Sequence, residues 1–190
     1  GGDTRGFHYM QGAYLRKGFE KHGELSNPYA FGYFPHMPNN QVERFTHTFV
    51  IYEAEALPPR YRGMLFGVEP LQGRVVMSQV TPEGSTFRTL DIERPVLTPD
   101  RWFKPADIKV GPEGAIYMAD WYDVRRAHVD PRDDWDRSNG RIYRLSGATG
   151  NKKNAPEDDT TKRRWEVRLL GDKKKLSPAE RGRVVELARY

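Results

Sequence analysis

The stretch from Trp102 to Trp121, WFKPADIKVGPEGAIYMADW, decides the fold class. Two β-prone runs, Asp107 to Val110 and Ala115 to Ala119, flank Gly111-Pro112-Glu113-Gly114. Proline fixes φ at one turn position and glycine supplies the positive φ that another requires, so the two runs fold back on one another. After an acidic and basic insertion from Asp123 to Asn139, Arg141 to Leu145 (RIYRL) adds a third strand. Three antiparallel strands at this spacing make most of one four-stranded propeller blade.

Upstream, Thr46 to Tyr52 (THTFVIY) is β-branched and aromatic, Leu57 to Gly63 carries two prolines and a glycine, and Met64 to Val68 is an apolar run. That sequence predicts two strands and a short connection. Arg74 to Val80 reads as a further strand, Thr81-Pro82-Glu83-Gly84 as a turn, and Phe87 to Ile92 as an alternating strand. From Gly1 to Gln41 glycine, aromatics and histidine follow no period of 2 or 3.6, which predicts ordered loops. Past Ser146 the chain is polar and Lys-rich through Thr161, a linker composition. Ser177-Pro178-Ala179-Glu180 then carries the cap serine, first-turn proline and third-position glutamate of a helix start, with Val184, Val185, Leu187 and Ala188 as its stripe. The expectation is an all-β (β-rich) chain: residues 1–146 as the C-terminal part of a β-propeller of about three antiparallel blades, with long N-terminal loops over 1–44. Residues 147–190 are expected to form a polar basic linker and the start of a helical extension with a short C-terminal helix.

Composition narrows the function classes. The chain holds 31 Lys/Arg against 26 Asp/Glu, and 12 and 7 of these lie from Asn151 onward, so the rest is balanced. The cationic excess therefore belongs to a tail rather than to a patch on the folded body, which argues against a nucleic-acid face. Without cysteine there is no disulfide, thiolate zinc site or Cys-x-x-Cys-His haem attachment in this stretch. No apolar run reaches the roughly 18 residues of a membrane span, and Gly1-Gly2-Asp3 offers neither an initiator Met nor a signal peptide, as expected of an excerpt.

The segment WFKPADIKVGPEGAIYMADWYD followed by GRIYRL resembles the last blades of the membrane-bound dehydrogenase propellers of planctomycetes and related bacteria, relatives of the soluble quinoprotein glucose and sorbosone dehydrogenases. GAYLRKGFEKHG, NPYAFGYFPHM and STFRTLDIERPV are similar to that family too, so the resemblance spans roughly Gly1 to Leu145. It implies a sugar or alcohol dehydrogenase that uses pyrroloquinoline quinone with Ca²⁺, works in the periplasm or elsewhere outside the cytoplasm, and is joined in its parent chain to a cytochrome c-like domain. Where the soluble enzymes carry two cofactor-contacting arginines, the matching positions here are Lys104 and Ala106.

On that resemblance hydride would pass from substrate to quinone while a histidine takes the hydroxyl proton. His8, His36, His47 and His128 are candidates, with His128 preferred because it lies in the insertion after a strand end. Asp120-Trp121-Tyr122-Asp123 gathers carboxylates and aromatic faces at a strand terminus, suiting a hard cation and a flat ligand. Asp120 is accordingly the expected metal ligand, and Lys104, Asp107, Trp121 and Tyr122 the expected cofactor contacts, with Asp107 and Asp120 at opposite ends of the strand pair. In the structural alternative Asp107 caps amides between blades and Trp121 packs. Asp130-Pro131-Arg132-Asp133-Asp134-Trp135-Asp136-Arg137 lacks the glycine and terminal glutamate of a calcium-binding EF-hand loop and reads as an internally paired loop. Dinucleotide, phosphate-loop, nucleophile-elbow and zinc-protease signatures are missing. Two other readings remain: a non-catalytic propeller that binds carbohydrate or a protein partner, and a metal-dependent lactonase or hydrolase.

Overall fold

The computed structural model describes residues 6–15, 29, 31–34, 36–39, 48–124, 136, 138–147 and 159–188. Among these residues, three sheets and two short helices make a β-rich fold. β1 (Ala13–Leu15) and β2 (Gly32–Phe34) form a small parallel pair within the segment expected to be loops. β3 (Phe49–Ile51), β4 (Leu65–Glu69), β5 (Arg74–Glu83) and β6 (Thr86–Leu97) form an antiparallel meander in chain order. β7 (Pro105–Val110), β8 (Ile116–Asp120) and β9 (Arg141–Leu145) form a second, three-stranded one. Among the described residues there are therefore two antiparallel meanders, where about three were expected.

Two prolines mark where sequence reading stopped short. β5 runs on through Pro82 to Glu83, and β6 on through Pro95 to Leu97. β4 pairs with β5 only as far as Ser78, so on the side away from β6 no described strand lies beside Pro82 to require its missing N–H. Pro95 stands on an edge strand, where a missing donor costs no ladder bond on the outer side.

The meanders pack face to face. Phe66, Val68, Val75 and Met77 of the first meet Ile108, Ile116 and Met118 of the second, with Tyr52, Ala54 and Leu57 filling the seam. Alternation puts these side chains on one face of each sheet. Tyr52 is fully buried: its hydroxyl donates to Gly114 O at 3.0 Å and accepts from Leu57 N at 2.8 Å, tying the chain after β3 to the β7–β8 turn. Gly114 has φ +82° and a Cβ there would lie 3.1 Å from Ala54 Cβ, so both the turn and the close approach require glycine. The other face of the four-stranded sheet buries Leu65 and Val76, and the N-terminal segment reaches β6: Asn39 Nδ2 donates to Thr89 Oγ1 at 2.8 Å, and Thr89 N to Pro38 O at 2.9 Å. On the far face of the three-stranded sheet Ala119 and Ile142, which pair across β8 and β9, are exposed.

Two helices follow, α1 (Asp159–Gly171) and α2 (Pro178–Leu187). The capping box at Ser177 and Glu180 is present as expected. α1 begins inside the segment expected to be linker, and its docking explains why: Trp165 Nε1 donates to Val110 O at 2.9 Å and Arg164 pairs with Glu53 at 2.8 Å. Tertiary contact, which a polar composition does not announce, holds it in place. In α2 Val184 and Leu187 are half-buried while Val185 and Ala188 are exposed.

Candidate functional site

Pro105 faces Asp120 in the β7–β8 ladder, so the residues on either side of these two strand ends come together. Asp120, 5% exposed, aims its carboxylate back across the gap: Oδ1 accepts from Lys104 N at 2.8 Å and from Tyr122 N at 2.9 Å. Trp121 N donates to Lys104 O at 3.0 Å. One carboxylate oxygen thus pins both chain segments where the sheet ends, while Oδ2 is buried with no hydrogen-bond partner among the described residues. The bond to Tyr122 N closes a short side-chain turn, and Tyr122 sits in it at φ +60°, a conformation costing a bulky residue about 1–2 kcal/mol. Strain of this kind persists where surrounding contacts over-determine the backbone.

Those contacts are aromatic and cationic. Trp102 stacks on Tyr122 with centroids 5.6 Å apart, the Arg141 guanidinium lies 3.6 Å from the Tyr122 centroid, and Phe103 meets Tyr143 edge to face at 5.6 Å. Burial, reinforced by the nearby Asp120 charge, pushes the Tyr143 phenol above its usual range. Trp121 is the exception: it is 55% exposed and leaves its indole largely to solvent beside this ordered cluster.

Of the expected site residues, Lys104, Asp120, Trp121 and Tyr122 do converge. Lys104, however, is buried, and its ammonium donates to Arg101 O at 2.8 Å and Phe103 O at 3.3 Å, inward rather than toward a ligand. Asp107 does not lie at the opposite end from Asp120: it pairs with Ala119, next to Asp120 in the ladder, because a hairpin sets the start of one strand beside the end of the other. Its carboxylate accepts from Thr48 Oγ1 at 2.6 Å, Ile108 N at 2.9 Å and Lys109 Nζ at 2.9 Å. Thr48 Oγ1 in turn accepts from Ile108 N at 3.1 Å, so Asp107 joins the start of β3 to β7. The Thr48 bond is the main reason the Asp107 carboxyl titrates below its ordinary value.

His128 and His47 lie outside the described residues. His8 packs edge-on against Phe87 of β6 at 4.9 Å, and His36 Nδ1 lies 3.3 Å from Met37 O, so neither belongs to the β7–β8 strand ends. Asp136, in the insertion, closes a local turn: Ser138 N donates to it at 2.7 Å and Ser138 Oγ at 2.6 Å, and with Asn139 they hold its carboxyl at about 2. Sequence reading missed Trp102, Arg141 and Tyr143. The alternation of RIYRL was the available signal, since Arg141 and Tyr143 share a face of β9 and Arg141 pairs with Asp120.

The same geometry tests the cofactors that the resemblance implies. Calcium takes six to eight oxygens, and among the described residues no group of three or more His, Asp or Glu stands close enough to hold a metal. The strand end supplies one unpartnered carboxylate oxygen, Asp120 Oδ2. A quinone with carboxylates would look for presented cations, whereas the Lys104 ammonium is committed to main-chain carbonyls. The described residues fit neither group.

The profile of one protein family matches residues 17–149. The chain belongs to DUF7133, a domain of unknown function. No curated protein and no solved structure matches it. The DUF7133 match takes in both meanders and the strand-end cluster, and it stops before α1 and α2. No helix among the described residues is long and apolar enough to cross a membrane.

Proposed function

We propose that this DUF7133 chain is a blade-bearing part of a β-propeller and that its strand-end cluster binds carbohydrate. The propeller reading is supported by a four-stranded meander packed face to face on a second meander in chain order, and by apolar residues left on the outer face of the latter, as a blade awaiting a neighbour would leave them. The carbohydrate reading rests on one observation: an exposed indole, Trp121, is held in place by its backbone bond to Lys104 O at an ordered strand end. A pyranose offers an apolar face to stack on the indole, and such sites combine aromatic walls with few placed polar groups. Because the described residues do not fit quinone or calcium, carbohydrate binding without turnover stands ahead of dehydrogenation.

Calorimetric titration with a panel of maltose, cellobiose and xylobiose tests this. Saturable binding of at least one sugar, weakened roughly tenfold or more by Trp121→Ala, is expected, corresponding to loss of about 1.4 kcal/mol at an aromatic anchor. Absence of binding across the panel, or binding indifferent to Trp121→Ala, would sink the proposal.

A further inference from the structure

At the other end of β7, away from Asp120, the docking of α1 leaves a cavity of about 550 Å³ between the helix and the sheets. Its size falls within the range of sites for small organic ligands, about 300–1,000 Å³. Phe49 and Ile51, side by side on one face of β3, line it and are 54% and 49% exposed. Val110 and Trp165 complete the apolar lining, with the indole fixed by its bond to Val110 O. Two half-exposed large side chains in a concave site are surface that an apolar body would remove from water.

The lining is also cationic. Lys109, Arg164 and Arg168 border the cavity against a single carboxylate, Glu53. Lys109 is bonded to Asp107 and Arg164 to Glu53, whereas the Arg168 guanidinium has no hydrogen bond or ion pair with any described residue. An apolar pocket with one uncommitted guanidinium suits a ligand with an apolar body and one anionic group, because the guanidinium fork matches carboxylate, sulfonate or phosphate geometry. We propose that this cavity binds a small amphiphilic organic anion, its apolar body over Phe49 and Ile51 and its charge on Arg168. The site requires α1, which lies beyond the residues matched by DUF7133, so it belongs to the junction of the domain with its helical extension. It does not depend on the carbohydrate reading.

The probe is 8-anilinonaphthalene-1-sulfonate, an apolar body with one sulfonate, read by its fluorescence on the whole chain beside its uncharged relative N-phenyl-1-naphthylamine. One saturable class of sulfonate sites is expected. Arg168→Glu should weaken it about tenfold or more, as for loss of a charge-assisted contact, while Arg168→Lys retains most of the affinity and the uncharged probe ignores both changes. Ile51→Glu should remove both probes. The Arg168 side chain is exposed and unpaired among the described residues, so unchanged circular dichroism of its variants is expected to accompany these results. Sulfonate binding that survives Arg168→Glu, that disappears instead with Ile142→Glu on the far sheet face, or that never saturates would overturn the assignment.

Discussion

Replacing Asp120 tests what holds the strand end together. In Asp120→Ala the amides of Lys104 and Tyr122 lose their shared acceptor, at 2.8 and 2.9 Å, in a site 5% exposed. Hydrogen bonds to charged groups contribute about 1.5–3 kcal/mol each, so the pair is worth roughly 3–6 kcal/mol. At about 2–4 °C per kcal/mol for a chain of this size, the melting temperature should fall by roughly 6–24 °C. Asp120→Asn keeps an oxygen where Oδ1 accepts both bonds but places an amide nitrogen at the buried Oδ2 position, so it should cost about 1–3 kcal/mol, less than the Ala variant. Thermal melts and urea unfolding of both variants measure this. An Asn variant as unstable as the Ala variant would refute the reasoning, since acceptor geometry would then not be what holds the strand end.

Two further outcomes follow from the seam between the meanders. Tyr52→Phe leaves the Leu57 amide without its acceptor and Gly114 O without its donor, and should cost about 1–3 kcal/mol in urea unfolding with no change of fold. Thr48→Val removes the strongest influence holding the Asp107 carboxyl below 3.8. A depressed folded-state value contributes stability above the unfolded value that is lost as pH falls through the folded one. The variant should therefore titrate nearer 3.8, with Lys109 and the Ile108 amide still lowering it, and show a smaller acid-side loss; a carboxyl NMR titration unchanged from wild type would contradict this.

Local chemistry made some elements legible and left others hidden. RIYRL was read to its ends because β-prone residues fill it and β9 spans the same five positions. β6 was read short because Pro95 looks like a breaker until its edge position is known. α1 was hidden because what holds it, Trp165 on Val110 and Arg164 on Glu53, spans long sequence separations. The site divides likewise: Lys104 and Asp120 flank one hairpin and could be paired on paper, whereas Arg141 reaches Tyr122 across an insertion of unreadable path. A hairpin's reversal also determines which residues are neighbours, and on that point the expected separation of Asp107 from Asp120 was mistaken.

β6 is twelve residues long and ends its sheet, the sort of border on which another chain could template itself into a growing aggregate. Its outer border is interrupted twice: Pro95 removes a donor, and the bridge from Asn39 occupies Thr89. Arg88, Glu93 and Arg94 add charges that a stacked copy would set against themselves. β9 has no proline, and Ile142 on it is 76% exposed. Insoluble material formed by this chain in concentrated solution should therefore be seeded along β9, and a lysine at Ile142 would keep the protein dispersed where a lysine at Leu97 changes little.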